Sequence, residues 1–333
     1  MLEDRKAAIL RAVVQEYIST AQPVGSSAVA SAPGIDVSSA TVRNEMLHLE
    51  RQGYLHQPHT SSGRIPTEKG YRFFVDALAP EGTLGDNQRG QVREFFDHTH
   101  GELERMLQET SGLLSDLTSY ASVVVAPAPR TTFIRSIALV RVGHRHALAV
   151  VVLSNGSVEK TTIELDDEHV DDDIDRASAA LAVMFVGQQL THRPALPAGV
   201  PPAAAGLVSA VELSLDRLIE PEADHVYVGG TARVARAFDA VETVSRVLSI
   251  LEQQLVVVSL LRDVLSRGLS VAIGSETGVQ PLAECSLVVA PYVVEGESAG
   301  TIGVLGPTRM NYPQALSAVA VVSKALSDRL SEG

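Results

Sequence analysis

Residues 38–45 read Ser-Ser-Ala-Thr-Val-Arg-Asn-Glu, and residues 58–67 read Pro-His-Thr-Ser-Ser-Gly-Arg-Ile-Pro-Thr. The first stretch predicts the start of a helix, because Ser38 or Ser39 is a good N-cap and apolar residues recur inward at helical spacing. Those apolar residues are Val42, Met46 and Leu49. The second stretch predicts a short hairpin with a polar, glycine-containing loop.

The residues around these two stretches predict the rest of a small domain. Apolar residues at helical spacing favour a helix over residues 3–20, and Pro33-Gly34 closes a short second helix that begins at residue 26. Residues 54–57 and 65–66 are the predicted hairpin strands, and Thr67 is expected to cap a fourth helix. Helix, turn, helix and hairpin in this order are the layout of a winged helix-turn-helix, a module that reads DNA.

The amino-terminal end of the third helix holds the first candidate DNA contacts. The second helix of such a pair enters the major groove, where arginine can bond guanine, asparagine can bond adenine, and alanine or a threonine methyl can touch thymine. Serine and threonine hydroxyls suit phosphates. The candidates are Ser39, Ala40, Thr41, Arg43 and Asn44. The alternative interpretation is an ordinary surface helix with a solvated polar face.

The hairpin loop supplies the second set of candidates, which are His59, Thr60, Ser62 and Arg64. We expect Arg64 near the tip of the loop, where it could contact phosphate or enter the minor groove. A polar turn of this kind is common by itself. Its position directly after the third helix is what favours DNA binding.

Charge is distributed unevenly along the chain. The 333 residues carry a net charge of −13, yet residues 1–76 contain eight basic and eight acidic residues, so all the excess negative charge lies beyond them. A neutral domain gives a weak electrostatic footprint for nonspecific DNA binding, but it does not exclude specific binding. The single cysteine, Cys285, excludes an internal disulfide framework and fits a reducing cytoplasm.

The remainder predicts an α+β protein with more than one domain. Residues 80–87 resemble a linker, and residues 88–121 a long helical stretch. Three strands are expected at 134–142, 146–153 and 158–165, followed by helices that run to residue 190 and from 205 to 219. The last third alternates, with strands near 226–228, 269–273, 286–293 and 300–305, a helix over 241–265 and a closing helix over 313–330.

No pattern for catalysis, a cofactor or a metal stands out. His144 and His146 are expected at a hairpin tip, the acidic run at 166–173 is expected to begin a helix, and Cys285 is expected to be a buried thiol. Walker A, dinucleotide and zinc-cysteine motifs are missing from the sequence. Arg309 follows a predicted strand, where it could either bind an anion or hold the corner by bonding carbonyls.

Several long motifs resemble those of the heat-inducible transcription repressor family HrcA. They lie near both ends of the chain, and the middle resembles the family only loosely. The motifs occupy residues 23–26, 38–46, 49–55, 58–66, 70–76 and 303–312. The Ser61-Ser62 pair departs from the Ser-Ala expected in that loop.

This resemblance implies a winged-helix domain joined to a GAF-like domain that carries an inserted dimerisation domain. On this basis we expect the winged helix at 1–79, a linker at 80–87, the GAF-like domain at 88–165 and 224–333, and the insert at 166–223. The family implies a cytoplasmic homodimer that binds double-stranded DNA at an inverted-repeat operator, CIRCE, upstream of chaperone genes. It also implies a GroEL-type chaperonin as a partner. From the residues themselves we expect no membrane association, because no apolar run approaches the roughly 18 residues needed to span a bilayer, and no cofactor or metal.

Two alternatives remain open at this point. The GAF-like region could bind a small ligand that gates DNA binding. Alternatively, the winged helix could bind protein, which would make the chain a chaperonin client or a scaffold.

Overall fold

A computed structural model shows an α+β protein. It describes residues 2–59, 62–78, 84–99, 103–127, 133–154, 157–166, 170–219, 225–238, 240–267, 270–294 and 297–332. The helices are α1 Asp4–Thr20, α2 Ser26–Ala30, α3 Ser39–Arg51, α4 Glu68–Leu78, α5 Asp86–His98, α6 Leu103–Thr118, α7 Asp171–Phe185, α8 Pro202–Ile219, α9 Thr231–Ala237, α10 Val241–Glu252, α11 Gln254–Ser266 and α12 Tyr312–Glu332. The strands are β1 Leu55–His56, β2 Ile65–Pro66, β3 Ala121–Val125, β4 Ile134–Gly143, β5 His146–Leu153, β6 Val158–Glu164, β7 Val226–Gly229, β8 Val271–Ile273, β9 Cys285–Val294 and β10 Glu297–Pro307.

The first 78 residues, which we call the N-terminal unit, follow the predicted order of three helices, a hairpin and a fourth helix. Strands β1 and β2 pair antiparallel, with Leu55 opposite Pro66. Val24 adds a short antiparallel bridge to Arg64, so the connection after α1 lies beside the hairpin. The predicted cap on α4 is confirmed, since the Thr67 hydroxyl accepts from the amide of Gly70 at 3.2 Å.

A five-stranded antiparallel sheet forms the centre of what we call the body. Its strand order is β7-β3-β10-β9-β8. Because side chains alternate across a strand, neighbouring residues enter different cores. Val124, Val288 and Val304 face α5, α6 and α12, while Val123 and Val289 face α10 and α11. Both faces of this sheet are therefore covered by helices.

A second sheet, with strand order β4-β5-β6, belongs to a separate unit that we call the insert. Strands β4 to β6 share one apolar core with α7 and α8. The chain leaves the body after β3 and returns at β7, and these two strands pair with Val125 opposite Val226. The insert is therefore connected to the body through two adjacent strands, β3 and β7.

The predicted insert boundary at residue 166 differs from this arrangement. It would separate β6 from α7, although both contribute to a single core that contains Ile163 and Ile174. Among the described residues, β4 to β6 pack with α7 and α8 rather than with the central sheet of the body. The misplacement has a simple cause: the strand pattern is the same whether a strand joins the central sheet or a separate one.

Three other sequence predictions need adjustment. The expected long helix at 88–121 is α5 and α6, and the buried strand β3 begins at residue 121. The expected linker at 80–87 overlaps the start of α5 at Asp86; residues 79–83 lie outside the described residues. The helix expected at 241–265 is two helices, α10 and α11, which meet at Gln253 with a bend of 92°.

The described helices differ from membrane-spanning helices in length and composition. None of them is long and apolar enough to cross a membrane by itself, and the bent pair α10–α11 meets the length and composition criteria only when the two helices are taken together.

Candidate nucleic-acid interface

The start of α3 is fixed by hydroxyl groups. The Ser38 side chain accepts from the amide of Thr41 at 3.2 Å, which satisfies one of the free amides of the first turn. The Ser38 and Thr41 hydroxyls lie 3.0 Å apart. Across the turn from α2, the hydroxyls of Ser26 and Ser39 lie 3.1 Å apart. These contacts hold the amino-terminal end of α3 against α2.

The two faces of α3 are sharply divided, as the sequence predicts. Val42, Met46 and Leu49 are at most 1% exposed and pack in the N-terminal core. The outward face carries four of the predicted contacts, Ser39, Ala40, Arg43 and Asn44, all exposed, while Thr41 is half-buried. The buried stripe therefore anchors the helix and leaves its polar residues facing solvent.

Arg43 and Asn44 have free functional groups within the described part of the chain. Neither side chain makes a hydrogen bond or an ion pair with another described residue. An exposed guanidinium and an exposed amide beside each other on the first turns of a helix are groups that bond base edges. This placement leaves both available to a ligand.

Glu45 is a residue whose role sequence analysis missed. It lies on the inner side of α3, is 6% exposed, and accepts from Arg5 of α1 at 2.9 and 2.6 Å. A buried carboxylate requires such a partner. The available signal was its position three residues after Val42, on the apolar stripe, together with a basic residue in the first helix.

Both acidic residues of α3 are neutralised in this way. Glu45 pairs with Arg5, and Glu50 pairs with Arg64. Two basic residues of α3, Arg43 and Arg51, are exposed and have no carboxylate partner among the described residues. The outward face of α3 is therefore basic, although the N-terminal unit is neutral as a whole.

Ser62 bonds to His59 across the hairpin loop. Its hydroxyl accepts from the amide of His59 at 3.0 Å and donates to the carbonyl of His59 at 2.6 Å. Gln57 donates to the carbonyl of Ser62 at 3.0 Å. His59 is exposed, whereas Ser62 is half-buried and engaged within the loop. Thr60 lies outside the described residues.

Arg64 does not lie at the tip of the loop, which corrects the prediction. It directly precedes β2 at the base of the hairpin, and its backbone exchanges two hydrogen bonds of 2.9 Å with Val24. Its side chain is only 12% exposed, and Nε donates to Glu50 of α3 at 2.9 Å. The antiparallel bridge to Val24 turns the side chain toward α3. In this arrangement Arg64 ties the hairpin to α3.

Gly63 allows the hairpin to lie close to the backbone of Val24. A Cβ on this residue would lie 2.5 Å from the backbone of Val24. Only glycine permits this approach without moving the strand.

Comparison with known proteins gives a consistent result. Residues 104–316 match the family model described as the HrcA protein C-terminal domain. The heat-inducible transcription repressor HrcA of Pelotomaculum thermopropionicum is 37% identical, with 99% of this chain and 97% of that protein covered. The protein of the same name from Nocardia farcinica is 36% identical over the same shares of the two chains. The chain belongs to the HrcA family.

The family is one of heat-shock transcription regulators rather than enzymes. A solved structure of a hypothetical protein shares the fold, with a TM-score of 0.71, 23% identity, and coverage of 100% of this chain and 99% of that one. The match to the family model of the C-terminal domain begins at residue 104. The N-terminal unit is therefore linked to the family through the full-length relatives.

The other candidate groups of this HrcA-family chain, Arg309 and Cys285, lie within the body. Arg309 donates to the carbonyl of Ala237 at 3.3 Å, as expected of an arginine that holds a corner. It also lines a cleft of about 200 Å³ with Tyr17, Phe238 and Glu284. Cys285 is buried, and burial raises the pKa of its thiol to about 12. No group of three or more possible metal ligands occurs in the part of the chain that the structure describes.

Proposed function

We propose that this protein is a homodimeric repressor that binds an inverted-repeat operator, CIRCE, upstream of chaperone genes. In this proposal the N-terminal unit is a winged helix and α3 is its recognition helix. Bound repressor occupies promoter DNA in the cytoplasm and prevents transcription. The coarser part, membership of a family of heat-inducible transcription repressors, rests on the full-length relatives.

One observation carries the DNA-binding part of the proposal. On α3 the acidic residues are paired, while Arg43 and Asn44 project outward without partners among the described residues. A helix in the major groove reads bases through such groups near its amino terminus. His59 at the hairpin loop would lie beside the DNA backbone, where it could donate to phosphate.

The insert supports the homodimer. One face of its three-stranded sheet packs on α7 and α8, and the other carries an apolar strip formed by β4, β5 and Val158 of β6. Cross-strand neighbours on that outer face include Val140 opposite Leu148 and Val152 opposite Val158. Val140 is 51% exposed and Val158 is 47% exposed. A contiguous apolar patch of this kind is typical of an interaction surface, and a two-fold dimer buries it symmetrically.

Heat inactivation is proposed to act through the native fold. Proteins are stable by only about 5–15 kcal/mol, so a moderate temperature rise can lower the active fraction substantially. A GroEL-type chaperonin would restore active repressor under normal conditions and be diverted to other unfolded proteins during heat stress. Transcription of the chaperone genes would then increase until free chaperonin returns.

The test is a titration of the purified full-length protein against an inverted-repeat chaperone-promoter duplex and a scrambled duplex of equal length, at one salt concentration. We expect a preference of about 10³-fold or more for the inverted repeat. Sedimentation of the complex should show two chains per duplex. Addition of chaperonin and ATP after a heat pulse should raise the fraction of protein that binds DNA.

Equal weak binding to both duplexes by folded protein would refute the repressor proposal. Tight binding of one chain per duplex would refute the dimer but leave DNA reading intact. Recovery of binding after heat without any effect of chaperonin would remove the chaperonin from the mechanism.

A further inference from the structure

The N-terminal unit is joined to the body by α4, whose outer face meets the turn at residues 274–277 that follows β8. Arg72 of α4 reaches Glu276 with two nitrogens: Nε donates to Oε1 at 3.0 Å, and Nη2 donates to Oε2. The same guanidinium donates to the carbonyl of Val271 at 2.8 Å. The Arg72 and Glu276 side chains are 24% and 31% exposed, so the pair is partly shielded from water.

A second contact, one helical turn earlier on α4, has the opposite polarity. The carboxylate of Glu68 accepts from the amide of Ser275 at 2.9 Å and from its hydroxyl at 2.5 Å. Gly274 makes this approach possible, because its φ is +54° and a Cβ there would collide with the Glu68 carboxylate. Residues 68 and 72 lie on one helix face because they are four apart.

The body holds its half of the contact rigidly. Glu276 accepts from the amide of Ile273 at 2.9 Å, and its own carbonyl accepts from Arg267 at 2.8 Å. The Thr277 hydroxyl donates to the carbonyl of Gly274 at 2.9 Å. The turn is therefore held by contacts within the body itself, in addition to those with α4.

The two contacts specify a single register. An acceptor on α4 meets donors of the body at Ser275, and a donor on α4 meets an acceptor at Glu276. A slip of one turn would bring Glu68 toward Glu276 and place two carboxylates together, which is unfavourable. Between α4 and the body, the rings of Tyr71 and Tyr312 lie 5.8 Å apart in the shared core.

We propose that Glu68 and Arg72, with Ser275 and Glu276, are positioning residues that fix the direction of α3 relative to the body. In a dimer they would thereby set the separation between DNA half-sites that two copies can read together. This inference rests on the proposed function. The contact of α4 with the body, in which α3 takes no part, would then determine which half-site spacing is preferred.

The experiment uses the full-length protein and a series of inverted-repeat duplexes whose half-sites are moved apart in single base pairs over one helical turn, about 10 base pairs. Wild-type protein should bind best at one spacing. Arg72→Glu or Glu276→Arg alone should reduce the ratio of affinities at the best and worst spacings by about tenfold or more. The combined charge exchange, Arg72→Glu with Glu276→Arg, should restore a large part of that ratio.

Asp76→Asn is the matched control. Asp76 pairs with the same guanidinium at 3.5 Å but lies on α4 itself, so its loss leaves the contact with the body in place. Its spacing profile should match wild type. Lack of thiol labelling at buried Cys285 verifies in every variant that the body remains folded. If a charge reversal prevents folding, Arg72→Lys replaces it, since a single ammonium cannot make the two-nitrogen contact.

The outcomes separate the two levels of the proposal. A wild-type optimum that all folded variants retain would overturn the positioning role and leave the repressor proposal standing. Tighter binding by the single variants at every spacing would also overturn it, because the contact would then restrain DNA binding. Absence of any inverted-repeat preference in wild type would overturn the repressor proposal and this inference together.

Discussion

Helices α3 and α4 belong to the same small unit, yet their outer faces differ in one respect. On α3, Arg43 and Asn44 are exposed and have no partner among the described residues. On α4, Glu68 and Arg72 are both bonded to the body. Both faces are polar, and composition alone does not distinguish them. The difference is whether the rest of the chain supplies partners.

This contrast distinguishes the outer face of α3, which is available to bind DNA, from that of α4, which attaches the N-terminal unit to the body. A polar group that is already bonded gains little by binding a ligand, because it must first give up its existing partner. Arg64 shows the same rule within the hairpin: its pairing with Glu50 makes it part of the scaffold. We therefore predict that Arg43, which has no partner among the described residues, contacts DNA, and that Arg64, which is paired with Glu50, has a structural role.

The largest expected effect is on DNA binding by Arg43→Ala. If Arg43 reads a base, the preferred duplex should lose about 1–3 kcal/mol of binding free energy, with a relaxed preference at one base pair. The thermal midpoint should hardly change, because the side chain is exposed. Parallel titrations and melts test this, with Arg51→Ala at the far end of α3 as the control. Equal loss on every sequence would instead indicate a phosphate contact.

A smaller effect, on stability, is expected for Arg64→Ala. Loss of the pair would leave the half-buried Glu50 without its partner and remove packing between the hairpin and α3, at a cost of about 1–2 kcal/mol of unfolding free energy. The salt dependence of DNA binding should keep its slope. Denaturation of Arg64→Ala, Glu50→Gln and the double variant measures the coupling. An unchanged midpoint with a shallower salt slope would return Arg64 to the DNA interface.

The smallest effect concerns Tyr71 on the attachment side. Its hydroxyl is buried and has no hydrogen-bond partner among the described residues. Burial raises the pKa of this hydroxyl, so it stays neutral at all ordinary pH values. Tyr71→Phe should be neutral or stabilising by up to about 1 kcal/mol, because it removes an unsatisfied polar group. Tyr312→Phe is the comparison, since that hydroxyl lies 2.7 Å from the Ser286 hydroxyl and donates to Thr308 at 2.6 Å. Clear destabilisation by Tyr71→Phe would contradict an unpartnered hydroxyl.

Much of the secondary structure could be predicted from the sequence because its signals are local. The inward stripe of α3, the Ser38 cap and the antiparallel hairpins at residues 134–165 follow from spacing over a few residues. The long predicted helices at 88–121 and 241–265 were wrong in detail. Apolar periodicity continues across a break such as Gln253, so it does not reveal where a helix ends or a buried strand begins.

The sequence by itself determined the α+β class, the order of elements in the N-terminal unit and the outward position of Arg43 and Asn44. Only the tertiary structure decided that β4 to β6 belong to the insert, that Arg64 is committed to Glu50, and that α4 attaches the unit to the body. The physical reason is range. Helix faces and caps depend on neighbours within a turn, whereas Arg64 and Glu50 are 14 residues apart and Arg72 and Glu276 are 204 apart. Such pairs are specified only when the whole chain has folded around them.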